Sequence, residues 1–254
     1  MKFESRIPLS DQEKSAFIEA IYNAHKNDIR DFILEYDLET QNCIHFLRWD
    51  FTNTNIIRKF QGQRFQCLKV KRGPWKFVLI YDRETMFLYS LMRDKRFGEL
   101  QDRTSRQRVH YADALASHNQ SLEDVSDVER FLEQDLFDMD GAIWADEVQE
   151  VLKELTANIE GEVKYYSVIT FSSEKDEITS VSAYIPTASL GIAFEENWNE
   201  HITADFTNTY TTSGISTDSE DEDIHIGLRE GIIPQQEEDL VQPREDEKEK
   251  DNEE

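Results

Sequence analysis

The sequence predicts an α+β fold, a mostly antiparallel sheet with helices packed on it, followed by a disordered acidic C-terminal tail. Three observations lead there. The elements come as helix, strands, helices, strands, without the alternating strand–helix rhythm of a parallel sheet. The central strands are apolar on both faces and so need cover on both sides. Charge is also sorted along the chain, ending in a stretch with too little apolar content to fold.

The first helix opens at Ser10 with Glu13 as a capping box. Its apolar stripe follows at steps of three and four through Ile18, Ile21, Tyr22, His25, Ile29, Phe32, Ile33 and Tyr36. His25 reads as a core or boundary histidine rather than a ligand. Cys43 to Asp50 alternates like a strand, with Cys43, His45, Leu47 and Trp49 on one face. Phe65 to Val70 is the next strand, closed by the turn Arg72-Gly73-Pro74. Trp75 to Tyr81 and Met86 to Met92 flank the polar loop Asp82 to Thr85, which completes an antiparallel meander covered on one side by the first helix.

Beyond Met92 the chain turns helical and basic, with Phe97 and Leu100 as anchors, and Gln101 to Arg108 reads as a loop. Helices follow at His110 to His118, after the Ser126/Glu129 cap, and at Trp144 to Asn158, where Gly161 marks the stop. Val163 to Phe171 and Ile178 to Ile185 form a hairpin, and Leu190 to Phe194 adds an edge strand after Pro186. The expected organisation is one α+β domain over 1–206, divisible into 1–119 and 120–206, with 207–254 as the tail.

With 254 residues there is length enough for a substantial core without staples. Cys43 and Cys67 lack metal-type spacing and read as reduced, small apolar residues of an intracellular protein. Met1 to Asp11 has no apolar signal core, and the longest greasy run, Phe77 to Tyr81, falls far short of the roughly 20 residues needed to span a bilayer. A soluble cytoplasmic protein that does not engage membranes is expected.

The net charge of −25 hides an opposed pair. Arg58 to Arg108 holds 14 Lys and Arg against 5 Asp and Glu. Ser121 to Glu162 holds 14 acids and 2 bases, and Asp218 to Glu254 holds 16 acids and 4 bases. A chain with that partition repels polyanions at long range yet can present a basic face at contact. The candidate nucleic-acid contacts are Lys69, Lys71, Arg72, Lys76, Arg93, Lys95 and Arg96, with Trp75 as a stacking residue for an unpaired base. The competing account is that these cations simply face the acidic helices of Ser121 to Glu162.

Three chemical sites merit a check. A metal-free ribonuclease needs a histidine or tyrosine near cations, and His110 and Tyr111 beside Arg106 and Arg108 supply those types. A metal-dependent nuclease is suggested by Glu162-Val163-Lys164 with Asp140 and Asp146 upstream, although a helix interrupts the usual adjacency. Asp138, Asp140, Gly141, Ile143 and Glu147 match part of a calcium loop, but Leu136 stands where its first carboxylate belongs. The phosphate-loop lysine motif, the dinucleotide glycine fingerprint, the zinc His-Glu-x-x-His and the Gly-x-Ser-x-Gly elbow are all missing, which removes weight from ATPase, dehydrogenase, zincin and α/β-hydrolase readings. No cofactor or metal is expected.

Arg72-Gly73-Pro74-Trp75-Lys76-Phe77, then Leu88-Tyr89-Ser90-Leu91-Met92-Arg93-Asp94-Lys95-Arg96-Phe97, then His110-Tyr111-Ala112-Asp113-Ala114-Leu115 with Asn119, form one pattern. Over Phe46 to Asn119 it resembles an uncharacterised family of proteins from Firmicutes and their prophages. The resemblance implies a bacterial or phage setting and accessory roles such as toxin, antitoxin or interference with host defence. It brings no activity and no catalytic residues.

The leading expectation is therefore a binding protein whose Arg58 to Arg108 region contacts nucleic acid and whose tail modulates that contact. Two others stand beside it. One is a nucleic-acid-cleaving toxin using His110 with Arg106 and Arg108, or Glu162 and Lys164 with a metal. The other is an acidic, DNA-mimicking inhibitor whose partner is a basic protein.

Overall fold

The computed structural model describes residues 7–102, 108–122, 139–174 and 176–202. The chain divides into two compact units, Met1–Asp218 and Ser219–Glu254, and all described residues belong to the first. The expected helix after Ser126/Glu129 and the tail 207–254 lie outside the described residues.

Six strands form one sheet in the order β1-β2-β3-β4-β5-β6. They are β1 Phe65–Arg72, β2 Trp75–Asp82, β3 Phe87–Arg93, β4 Tyr165–Glu174, β5 Glu177–Pro186 and β6 Ile192–Asn197. All neighbours are antiparallel except β3 and β4, which run parallel with Phe87 opposite Tyr165 and Arg93 opposite Phe171. A parallel pair needs a long crossover. Here it carries α4 (Asp94–Gln101), α5 (Tyr111–Ala116), a 3₁₀ turn (Ser117–Leu122) and α6 (Met139–Thr156). The sequence shows no βαβ rhythm because a single crossover produces no repeat.

Both faces are covered, as strands apolar on both sides require. On one face α1 (Asp11–Tyr22) and α3 (Ile44–Phe60) bury Phe17, Ile18, Ile21, Ile56 and Phe60 against Val78, Ile80, Tyr89, Phe171 and Val181. On the other, Phe97, Leu100, Leu115, Val151 and Leu155 of α4 to α6 pack on Leu79, Leu88, Tyr166 and Val168.

The first helical stripe starts at the Ser10/Glu13 capping box as expected, but its buried part ends at Ile33, with Tyr36 exposed, and it is not one regular helix. A π-helical segment, Asn23–Asp28, separates α1 from α2 (Ile29–Tyr36). The wider turn shifts the hydrogen-bond ladder, and the Asn55 side chain donates to the Ala20 carbonyl at 3.3 Å. His25 is buried there, edge-on to Phe171 with ring centroids 5.3 Å apart.

The strand expected over Cys43 to Asp50 is instead the beginning of α3. The buried side of that helix carries Ile44, Arg48, Thr52, Asn55, Ile56 and Phe60, a helical period with polar residues in it. Each polar residue has a partner: Arg48 an ion pair with Asp176 through its Nη2, Thr52 the Arg48 carbonyl at 2.7 Å, Asn55 the Asp28 carboxylate at 2.7 Å. Polarity on the buried stripe left alternation as the more visible pattern.

Buried Asn119 ties the crossover to the sheet. Beyond the last paired residues of β4 and β5, Val168 and Tyr184, Pro186 has no N–H to offer Tyr166. Asn119 supplies the missing bonds, donating to the Tyr166 and Pro186 carbonyls at 2.8 and 2.7 Å and accepting from the Tyr166 amide at 2.9 Å.

Candidate functional site

β1 and β2 make a hairpin with Arg72 opposite Trp75, turned by Gly73 and Pro74. Gly73 sits at φ 57°, the left-handed conformation a two-residue hairpin turn demands at its first central position, and proline fits the second. β2 pairs with β3 only over Ile80–Asp82, so the Trp75–Leu79 end extends as a two-stranded arm. Ring contacts brace it from both sides of the sheet: Phe77 packs on Tyr111 of α5 at 4.3 Å, and Trp75 stacks on Phe46 of α3 at 5.6 Å and 22°.

Period-two alternation sends Lys69, Lys71 and Lys76 to the face on which α3 packs, the face of Val78 and Ile80. Lys71 lies directly opposite Lys76, and Lys69 is next in the row on β1. All three are exposed, and among the described residues none has a carboxylate within ion-pair distance. Like charges directly opposed across a ladder are destabilising, by a few tenths to about 1 kcal/mol. An anion between them reverses that cost.

Beside this row, Trp75 is 40% exposed and its stacking partner Phe46 is 38% exposed. In the alternating pattern of Cys43 to Asp50, Phe46 falls on a strand. It becomes visible as a site residue only once α3 is a helix, because its place outside the buried Ile44/Arg48/Thr52 stripe then aims it at the hairpin tip.

The other expected contacts are divided. The turn of the arm, Arg93 at the end of β3 and Phe171 on β4 lie toward the same end of the sheet, as the strand registers require. Arg93 lies over the Phe171 ring at 4.8 Å and donates to the Ser173 hydroxyl, so its head is occupied within the fold. Arg72 points to the opposite face from the three lysines and faces Glu147 and Glu154 of α6 at 3.8 and 3.6 Å. Arg96 pairs with Glu99 at 3.0 Å within α4. Lys95 is exposed on α4, on the far side of the sheet from the lysine row. The two accounts of the basic stretch thus describe different residues: Arg72 balances an acidic helix, whereas Lys69, Lys71 and Lys76 do not.

His110 begins α5 as its N-cap. Its Nδ1 accepts from the Ala112 amide at 3.2 Å, and its own amide donates to Asp113 at 2.9 Å, a reciprocal capping box. Burial pushes the neighbouring Tyr111 phenol far above its ordinary value, with Arg96 opposing weakly. Arg108 is exposed, and Arg106 lies outside the described residues. Glu162 offers its carbonyl to the Tyr81 hydroxyl at 2.9 Å, and Lys164 rests over the Tyr165 ring at 5.5 Å. Of the calcium-loop candidates, Leu136 and Asp138 lie outside the described residues, while Asp140 to Glu147 are part of α6 and therefore helical rather than looped. Among the described residues no group of three or more His, Cys, Asp or Glu is placed to hold a metal.

These features define a two-sided α/β/α layer protein with a basic, aromatic-tipped arm. The chain belongs to a family of unknown function, DUF5986, whose model matches residues 6–243 and so extends well beyond the Phe46 to Asn119 pattern. No curated protein and no solved structure matches the chain. Among the described residues no helix is long and apolar enough to cross a membrane.

Proposed function

We propose that this is a cytoplasmic bacterial or phage accessory protein that binds nucleic acid through the β1–β2 arm, with its acidic C-terminal segment competing for the same lysines. One observation carries the reading: Lys71 and Lys76 are directly opposed, with Lys69 in the same row and no carboxylate of the described residues beside them. Lysine on an edge strand also guards against strand-on-strand association, which accounts for Lys69 and Lys71 on β1. It does not account for Lys76, which lies on β2. A phosphate backbone accounts for all three, since each lysine neutralises one phosphate and releases its counterions. The 16 acids between Asp218 and Glu254 give the chain an internal polyanion able to occupy the row when no nucleic acid is present.

The test is fluorescence anisotropy with labelled nucleic acid over a salt series, comparing the full chain, a chain ending at residue 206 and the full chain carrying Lys69→Gln, Lys71→Gln and Lys76→Gln. The shortened chain should bind more tightly than the full one, and affinity should fall steeply with salt. The triple variant should flatten the log K against log salt slope by about 2 to 3. Absence of binding by both the full and the shortened chain at low salt removes the proposal.

A further inference from the structure

We infer that the arm is a platform for single-stranded nucleic acid, with the Trp75 indole receiving an unpaired base while Lys69, Lys71 and Lys76 hold the adjoining phosphates. This rests on the nucleic-acid reading above and narrows it to one strand state.

The geometry separates the two strand states. In a duplex the base faces are already stacked on one another, so an aromatic side chain gains nothing from them unless a base is extruded. An unpaired base offers a free π-face, and stacking on an aromatic is tolerant of sequence. Trp75 is 40% exposed at the tip of a two-stranded arm, yet it is held against Phe46 at 5.6 Å and 22°. A large aromatic left in water usually folds down onto the core; this one is propped in place by a second exposed ring. The stack restricts the indole before any ligand arrives, which lowers the ordering cost of receiving a base.

By register Trp75 pairs with Arg72 and alternates with Lys76, but its ring reaches Phe46 of α3, the helix that covers the lysine face. Lys69 and Lys71 are two residues apart on one face of β1, about 7 Å along the strand, and Lys76 faces Lys71 across the ladder. The row is short and leads to the tip where Trp75 stacks on Phe46 of α3, the helix covering that face. Three cations and one stacking position fit a few nucleotides of a flexible strand. A rigid duplex gains from a broader cationic surface, and here Arg72 and Arg96 are turned to Glu147, Glu154 and Glu99.

The experiment uses the full chain at low salt with three probes labelled alike: a 12-nucleotide oligo(dT), a 12-nucleotide oligo(U) and a 12-base-pair DNA duplex of mixed sequence. Single strands should bind at least about 10-fold more tightly than the duplex, with a log K against log salt slope near −2. Trp75→Ala should weaken the single strands about 10-fold and shift duplex affinity by less than about twofold. Trp75→Phe, which keeps a ring against Phe46, should restore most of the loss and guards against misfolding of the alanine variant. Preference for oligo(U) or oligo(dT) assigns the strand to RNA or DNA, and either supports the inference. Equal affinity for duplex and single strand, or single-strand binding indifferent to Trp75→Ala, overturns it. If the triple lysine variant still lowers affinity in that case, the broader nucleic-acid reading stands alone. Failure of all three probes to bind removes both.

Discussion

The Arg64 guanidinium lies fork to fork on the Asp82 carboxylate, with Nη2 2.7 Å from Oδ2 and Nε 3.1 Å from Oδ1. Asp82 is fully buried and also accepts from the Thr85 hydroxyl at 2.8 Å and the Glu84 amide at 3.0 Å. Arg64 reaches on to Glu13 of the α1 capping box at 2.7 Å and to the Pro8 carbonyl at 3.0 Å. One side chain thereby connects the entry to α1 with the β2–β3 loop, at the opposite end of the sheet from the arm.

Removing Arg64 leaves a buried carboxylate unpaired. Arg64→Met is expected to destabilise the fold by about 3 kcal/mol in urea unfolding, and Arg64→Met with Asp82→Asn together to recover part of that. An unchanged midpoint in Arg64→Met contradicts this role.

Burial works against ionising Asp82, but hydrogen bonds from Arg64, Thr85 and the Glu84 amide outweigh it and hold the carboxyl below its ordinary value. Its contribution to stability is fully present above the unfolded carboxylate pKa and is lost as pH falls through the lower folded value. Asp82→Asn should therefore flatten the decline in stability below about pH 4, relative to the unmodified chain. Parallel acid titrations of the two proteins followed by circular dichroism make the comparison.

Asn119→Ala strips three bonds from the Tyr166 and Pro186 backbone in a fully buried setting. A loss of about 3 kcal/mol is expected, since neither water nor Pro186 can replace the amide. Hydrogen exchange at the Tyr166 amide should accelerate in step with the fall in stability; protection retained in the variant speaks against the arrangement.

His110→Ala removes a helix N-cap. It should cost about 1 kcal/mol and lower Tm by a few degrees while leaving nucleic-acid affinity unchanged. Growth arrest in a bacterial host that disappears with His110→Ala, in a variant that still folds, would instead mark His110 as a catalytic group.

The two thiols should differ in reactivity. Cys43 is exposed, whereas burial pushes the Cys67 thiol up to about 12. Near pH 8 an aromatic disulfide reagent should label Cys43 quickly and Cys67 only on unfolding, because the thiolate is the reactive form. Cys43→Ser should abolish the fast phase.

The sequence disclosed the sheet strands, the basic hairpin and its turn, because Gly73-Pro74 and two-residue alternation are local signals. It concealed α3, because Arg48, Thr52 and Asn55 occupy the stripe that apolar residues would have marked. That one misreading hid Phe46, half of the aromatic pair. Linear clustering of charge was also a partial guide: Arg72 and Lys71 are neighbours in the chain but project to opposite faces of β1, and only one of them meets an acidic helix. His110, Asp113 and Asn119 stood out as a pattern, yet their bonds in the fold are those of a cap and a strand bridge.

The lone parallel step between β3 and β4 imposes a schedule on biosynthesis. Phe87–Met92 is buried on both faces and flanked by β4 in the finished sheet, but β4 follows only after the whole helical crossover has been translated. Until Tyr165–Phe171 has left the ribosome, β3 has an apolar edge with no strand to cover it. Chains halted anywhere between Asp94 and Glu162 should accordingly be insoluble.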